Sequence, residues 1–77
     1  MKVVIISPDK QIFEGNADSL RLPGKDGSFG ILNNHAPIIA SLQEGVVTVK
    51  HEGNTQEFDI NGGVVEVQKN KVIVLSE

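Results

Sequence analysis

Apolar residues in this chain come as short runs of Val and Ile, each cut off by Gly, Pro or Asn. Ten residues are Val and eight are Ile, against three Ala. Side chains branched at Cβ crowd a helix but lose little on a pleated surface. No stretch keeps a 3.6-residue apolar period over helical length, so the chain is expected to be built from strands. Only Asn33 to Leu42 has room for one helical turn, and Pro37 opposes more.

Lys2 to Ile6 reads as a first strand, ended by Ser7-Pro8-Asp9. Gln11 to Phe13 follows, with a turn at Glu14-Gly15-Asn16. From Ala17 to Leu22, Leu20 and Leu22 share one face and Ser19 and Arg21 the other. Pro23 to Gly27 is a turn cluster before Ser28 to Leu32, where Gly30 suggests a bulge or a close backbone approach. After the Asn33–Pro37 loop come Ile38 to Leu42 and, past Glu44-Gly45, Val46 to Lys50. That last run is expected to pair with Gln56 to Ile60 across a tip at Gly53-Asn54. Asn61-Gly62-Gly63 reads as a sharp corner. Val64 to Gln68 then turns at Lys69-Asn70 into Lys71 to Leu75, with Val65 and Val67 inward. Eight or nine strands at about eight-residue spacing predict a sandwich or small barrel.

Residues 1–77 make one domain of this kind. A chain of this length buries only about 60% of the surface it exposes when unfolded, so stability is marginal and a bound partner would add to it. The chain has no Cys, which removes disulfides and thiolate metal sites. Its net charge of -3 and lack of a basic cluster argue against nucleic acid as the main partner. No apolar run reaches the roughly 18 residues of a spanning helix, and Met1 to Lys10 does not read as a signal peptide.

Chemistry is sparse. His35 and His51 are the only imidazoles, and no serine sits in a nucleophile elbow. His51, beside Glu52 near a hairpin tip, reads as solvated, and His35 as a loop-fixing side chain. Glu57 and Asp59 share a strand face, but nothing there buries them or splits their pKa values. Gly24, Gly27 and Gly30 match neither the dinucleotide nor the phosphate-loop pattern. Lys25 and Lys69 lie at turns without the frame of a lipoyl or biotinyl attachment lysine. No catalytic residue, cofactor, metal or small-molecule substrate is expected. From these residues alone, a small ligand- or peptide-binding β sandwich stays open beside a structural subunit.

A set of motifs in fixed order narrows this. It comprises Phe13-x-Gly15, Leu22-Pro23-Gly24-Lys25-Asp26-Gly27-Ser28-Phe29-Gly30-Ile31-Leu32, Asn34-His35-Ala36-Pro37-Ile38-Ile39, Leu42-x-x-Gly45 and Gly62-Gly63-Val64-Val65-Glu66-Val67. With Lys71-Val72-Ile73-Val74-Leu75, this resembles the β-sandwich domain of the epsilon subunit of F-type ATP synthases, called delta in mitochondria. The resemblance implies an all-β, flattened two-sheet sandwich of about ten short strands. It also implies a non-catalytic rotor subunit of the F1 sector that links the gamma subunit to the c-ring and couples hydrogen-ion or sodium transport to ATP synthesis. Such a subunit is peripheral to the bacterial inner membrane, on its cytoplasmic face.

Carried over by position, Asp26, Gly27, Ser28, Gly30, Ile31, His35, Ala36 and Pro37 match the family's c-ring-facing end. A carboxylate is common in the family where Ser28 stands, and Asp26 is expected to supply that charge here. Val46, Ile60 and Val64 are candidates for the gamma contact, provided that the fold leaves them uncovered. The sequence ends at Glu77, short of the C-terminal helical hairpin that many bacterial members carry, so inhibition or ATP binding through that device is not expected. Glu77 is compatible with a natural end and with a longer parent chain.

Overall fold

A computed structural model describes residues 1–77. It contains seven strands and no helix: β1 (Lys2–Ile6), β2 (Gln11–Asn16), β3 (Ser19–Gly24), β4 (Gly27–Leu32), β5 (Ile38–His51), β6 (Asn54–Gln68) and β7 (Lys71–Ser76). Hydrogen bonding joins them into one sheet in the order β2-β1-β7-β6-β5-β3-β4. All neighbours run antiparallel except β1 and β7, which pair in parallel and make the sheet mixed.

The strand count is therefore seven, not the expected eight to ten, and the ladders form one sheet, not two separate ones. The difference in count comes from two places read as turns, and a third such place only lengthens a strand. Glu14-Gly15-Asn16 belongs to β2 and pairs with β1. Glu44-Gly45 and Asn61-Gly62-Gly63 lie inside β5 and β6, and the ladder crosses them through Glu44↔Asn61 and Gly45↔Ile60. In β5 and β6 glycine marks a bend, but the ladder continues past it.

The bend leaves a signature in the side-chain alternation. In β5, Leu42 is buried, and further on Val47 and Val49 are, so the inward set passes from even to odd numbers. In β6 the inward set likewise passes from Ile60 to Val65 and Val67. A regular strand holds one parity. Gly62 and Gly63, at φ +121° and +143°, supply backbone geometry that L side chains rarely adopt and allow the change. Across β5, the β3 register slips between Arg21↔Thr48 and Gly24↔Leu42. There Pro23 lies over Gly45, where a Cβ would come within 2.7 Å of the proline ring.

Of the expected turns, two match and one shifts by a residue. Ser7-Pro8-Asp9-Lys10 closes as a turn, with the Ser7 N–H donating to the Lys10 carbonyl at 2.8 Å. The β5–β6 tip is Glu52-Gly53 and the β6–β7 tip is Lys69-Asn70; all four residues have positive φ, the pattern of a type I′ hairpin turn. The tip expected at Gly53-Asn54 thus falls one residue earlier. Gly30 needs neither a bulge nor a close approach, since a Cβ there would meet only ordinary contacts, at 3.6 Å or more.

The inward residues of every ladder except β2's meet in one core. It holds Val3, Ile5, Ala17, Leu20, Leu22, Ile31, Leu42, Val47, Val49, Ile60, Val65, Val67, Val72 and Val74. Phe13, Phe29 and Phe58 pack against its rim, with the Phe13 and Phe58 rings 5.1 Å apart.

Candidate partner-binding surfaces

Asp26, Gly27 and Ser28 sit at the β3–β4 hairpin, whose two-residue turn is Lys25-Asp26. All three are exposed. Two hydrogen bonds clamp the tip to β5: the Lys25 N–H donates to the Ser41 carbonyl at 3.0 Å, and Gln43 Nε2 donates to the Gly24 carbonyl at 3.0 Å. Gly30 is exposed opposite Arg21. Ile31 is different. Its side chain is wholly buried in the core, so it supports this hairpin from beneath and cannot touch a partner. Between the hairpin and β5 lies an open cleft of about 420 Å³, walled by Gly24, Asp26, Phe29, Ile39 and Ser41 among others.

His35, Ala36 and Pro37 lie past the other end of β4. The His35 N–H donates to the Leu32 carbonyl, and His35 Nδ1 is 2.7 Å from the Ala36 carbonyl oxygen. Asn34 precedes them at φ +62°, its N–H donating to Asn70 Oδ1 at 2.8 Å. Asn33 Oδ1 accepts from the Met1 amino group. The loop is thus fixed by side-chain and backbone hydrogen bonds. Pro37 borders a separate cleft of about 320 Å³ with Ile38, Ile39, Glu66, Val67 and Gln68. The eight residues matched to one end of the family domain therefore fall into two groups, with exposed Ile39 bordering both clefts.

Of the three candidates for a gamma contact, Ile60 is 3% exposed and belongs to the core; it drops out because β6 turns it inward. Val46 and Val64 are uncovered, at 41% and 40%. They stand in different surroundings. Val46 is opposite Asp59, one pair away from Thr48 and Glu57 along the outward set of β5 and β6. Val64 pairs with Leu75, and Leu75 with Ile6.

Parity extends that last row into a face. Since Val3, Ile5, Val72, Val74, Val65 and Val67 point inward, Val4, Ile6, Ile73, Leu75, Val64 and Glu66 point outward. One row runs Ile6–Leu75–Val64–Ser41, the next Val4–Ile73–Glu66–Ile39. Leu75 is 53% and Ile39 74% exposed. Contiguous apolar surface on the outside of a sheet marks a place for a partner. Val4, Ile6, Ile39, Ile73 and Leu75 were not singled out from the sequence. For all but Ile39 the signal was there in the unbroken Val72–Leu75 and Val3–Ile6 runs, apolar on both parities.

Charge is arranged at the margins. Lys2 Nζ is 3.0 Å from Glu14 Oε2, and the hydrogen bond and charge of Lys2 hold the Glu14 carboxyl below its ordinary value. At the β5–β6 tip, Asp18 Oδ2 accepts the Glu52 N–H at 2.8 Å, which lowers the Asp18 pKa; His51 adds to the effect. His51 Nδ1 and Nε2 lie 3.6 and 3.7 Å from Asp18 and Glu52. No group of three metal-binding side chains occurs, and no helix is long and apolar enough to cross a membrane.

The whole chain, residues 1–77, matches the family model of the ATP synthase delta/epsilon chain β-sandwich domain, and the chain belongs to that family. It is 41% identical to the ATP synthase epsilon chain of Caulobacter vibrioides over 73 residues, 95% of this chain and 85% of that one. It is 39% identical over 77 residues to the epsilon chain of Leptospira interrogans, spanning all of this chain and 61% of that one. A chain of the Euglena gracilis mitochondrial ATP synthase superposes with a TM-score of 0.89 at 21% identity, covering 96% of this chain and 48% of that one. A chain of the Tetrahymena thermophila mitochondrial ATP synthase central stalk and c-ring gives 0.79 at 19% identity. These two likenesses are of fold.

Proposed function

We propose that this chain is a non-catalytic central-stalk subunit of an F-type ATP synthase, linking the gamma subunit to the c-ring so that ion flow through the ring is coupled to ATP synthesis. The observation that carries this reading is the outward apolar row Ile6–Leu75–Val64 on a domain of that family. A subunit that transmits torque needs a broad, dry contact and no reactive group, and this face offers the first. In this reading residues 1–77 form one domain, and the bends of β5 and β6 fold the continuous sheet into two packed layers. The apolar face of the β1–β7–β6 layer takes gamma. The exposed Asp26-Gly27-Ser28 tip takes polar loops of the c-ring, with Asp26 as its charge, and the His35–Pro37 loop flanks gamma or the ring. The protein is held at the membrane surface, on the cytoplasmic side of a bacterial membrane, through these partners.

Reconstitution tests this directly. Adding the chain to membranes depleted of their epsilon subunit is expected to restore proton- or sodium-coupled ATP synthesis. It is also expected to co-purify with gamma and with c-ring. Loss of both associations in a folded sample would overturn the reading.

A further inference from the structure

Glu66 is the one carboxylate in the centre of the apolar face. It stands between Ile73 and Ile39 in its row and two residues along β6 from Val64. Lys2 is paired with Glu14 and His51 lies near Asp18 and Glu52, and none of these contacts reaches Glu66. Lys71, its diagonal neighbour through the Gln68↔Lys71 pair, is not bonded to it. Glu66 also borders the 320 Å³ cleft, whose other walls are Pro37, Ile38, Ile39, Val67 and Gln68. Covering a carboxylate without a counter-charge is strongly unfavourable. A partner that dries this face must therefore bring a cation to Glu66.

We propose that this cleft receives one Lys or Arg side chain from the partner that covers the face, paired with Glu66. The walls suit such a side chain. Its aliphatic stem lies along Ile39 and Pro37, and its charged head reaches the carboxylate, with the Gln68 amide oxygen as a second acceptor. The apolar row supplies area, and the single ion pair fixes the register in which the partner sits. The inference rests on gamma being the occupant of this face, and the experiment separates the two.

Binding of the wild-type chain to purified gamma is measured at low and high salt beside three variants, each checked for folding by circular dichroism: Glu66→Gln, Glu66→Lys and Leu75→Asp. The expected losses at low salt are roughly tenfold for E66Q and a hundredfold for E66K, with a flatter salt dependence for E66Q. Leu75→Asp is expected to abolish binding. If L75D abolishes binding while E66K binds as tightly as wild type, the cleft proposal is overturned and the face stands. If L75D binds normally and E66K does not, the cleft is right and the row beside it is not the contact. Normal binding by both removes the face and the cleft together. Replacing gamma Lys and Arg residues one at a time by Glu is expected to yield one variant that restores binding to E66K. Failure of every such variant would overturn the ion pair.

Discussion

Gly63 packs against the Leu75 carbonyl so closely that a Cβ on Gly63 would fall on that oxygen. The contact joins the bend of β6 to the last turn-free stretch of β7, in the Gly63↔Ser76 register. The obstacle is backbone, which cannot swing aside as a side chain would. Gly63→Ala is expected to cost at least about 3 kcal/mol, through strain at φ +143° and the steric conflict together. Gly30→Ala, at a position with space, is expected to stay within about 1 kcal/mol of wild type. Urea unfolding of the two variants measures both, and equal losses would contradict the close-approach account.

Two isoleucines give the sharpest test of which surface is covered. Ile31 is fully buried and Ile39 is 74% exposed. Ile31→Ala is expected to destabilise by about 2–5 kcal/mol. Ile39→Ala is expected to change stability by no more than about 0.5 kcal/mol while weakening partner binding. Denaturation midpoints and gamma binding, measured on the same samples, separate the two roles.

The hairpin tips carry a local cost. Glu52 and Lys69 hold φ of 49° and 51°, where a residue with a Cβ is strained by about 1 kcal/mol and Asn by less. Glu52→Asn produces Asn-Gly, the preferred type I′ pair, and Lys69→Asn leaves the Asn70 contact to Asn34 intact. Each is expected to stabilise the domain by about 0.5–1 kcal/mol, read as a rise in thermal midpoint. A fall in both would show that the tips are not type I′.

Acid acts through Asp18 and Glu14. The Glu52 N–H that bonds Asp18 lowers its pKa from an ordinary 3.8, and Lys2 lowers that of Glu14 from 4.5. A carboxyl with a depressed folded pKa stabilises the fold above its unfolded value and loses that contribution as pH falls through the folded value. Stability is therefore expected to hold above about pH 5 and to decline from roughly pH 4 downward. Asp18→Asn, which keeps an acceptor but does not titrate, is expected to decline less steeply. Thermal midpoints from pH 6 to pH 2 supply the comparison, and parallel curves would remove Asp18 from the account.

Much of this architecture is legible in the sequence. Lys2–Ile6 matched β1 residue for residue, and the turn at Lys69-Asn70 fell where it was expected. Leu20, Leu22, Val65 and Val67 face inward as their alternation required. The motif from Leu22 to Leu32 pointed to the family. Ile60 is a gamma candidate only if uncovered, and the fold buries it as it buries Ile31; an apolar residue in a recognised motif, or next to a glycine corner, has no intrinsic sign of being covered.

Alternation, turn chemistry and β-branching determined that the chain is a set of antiparallel hairpins, since each depends on neighbours a few residues away. Whether β5 and β6 stop or run on at their glycines, and where Glu66 stands among isoleucines, were decided only by tertiary structure. The physical reason is that a side chain's exposure is set by what packs on it. For β1 and β7 those neighbours come from opposite ends of the chain, beyond the reach of any local pattern.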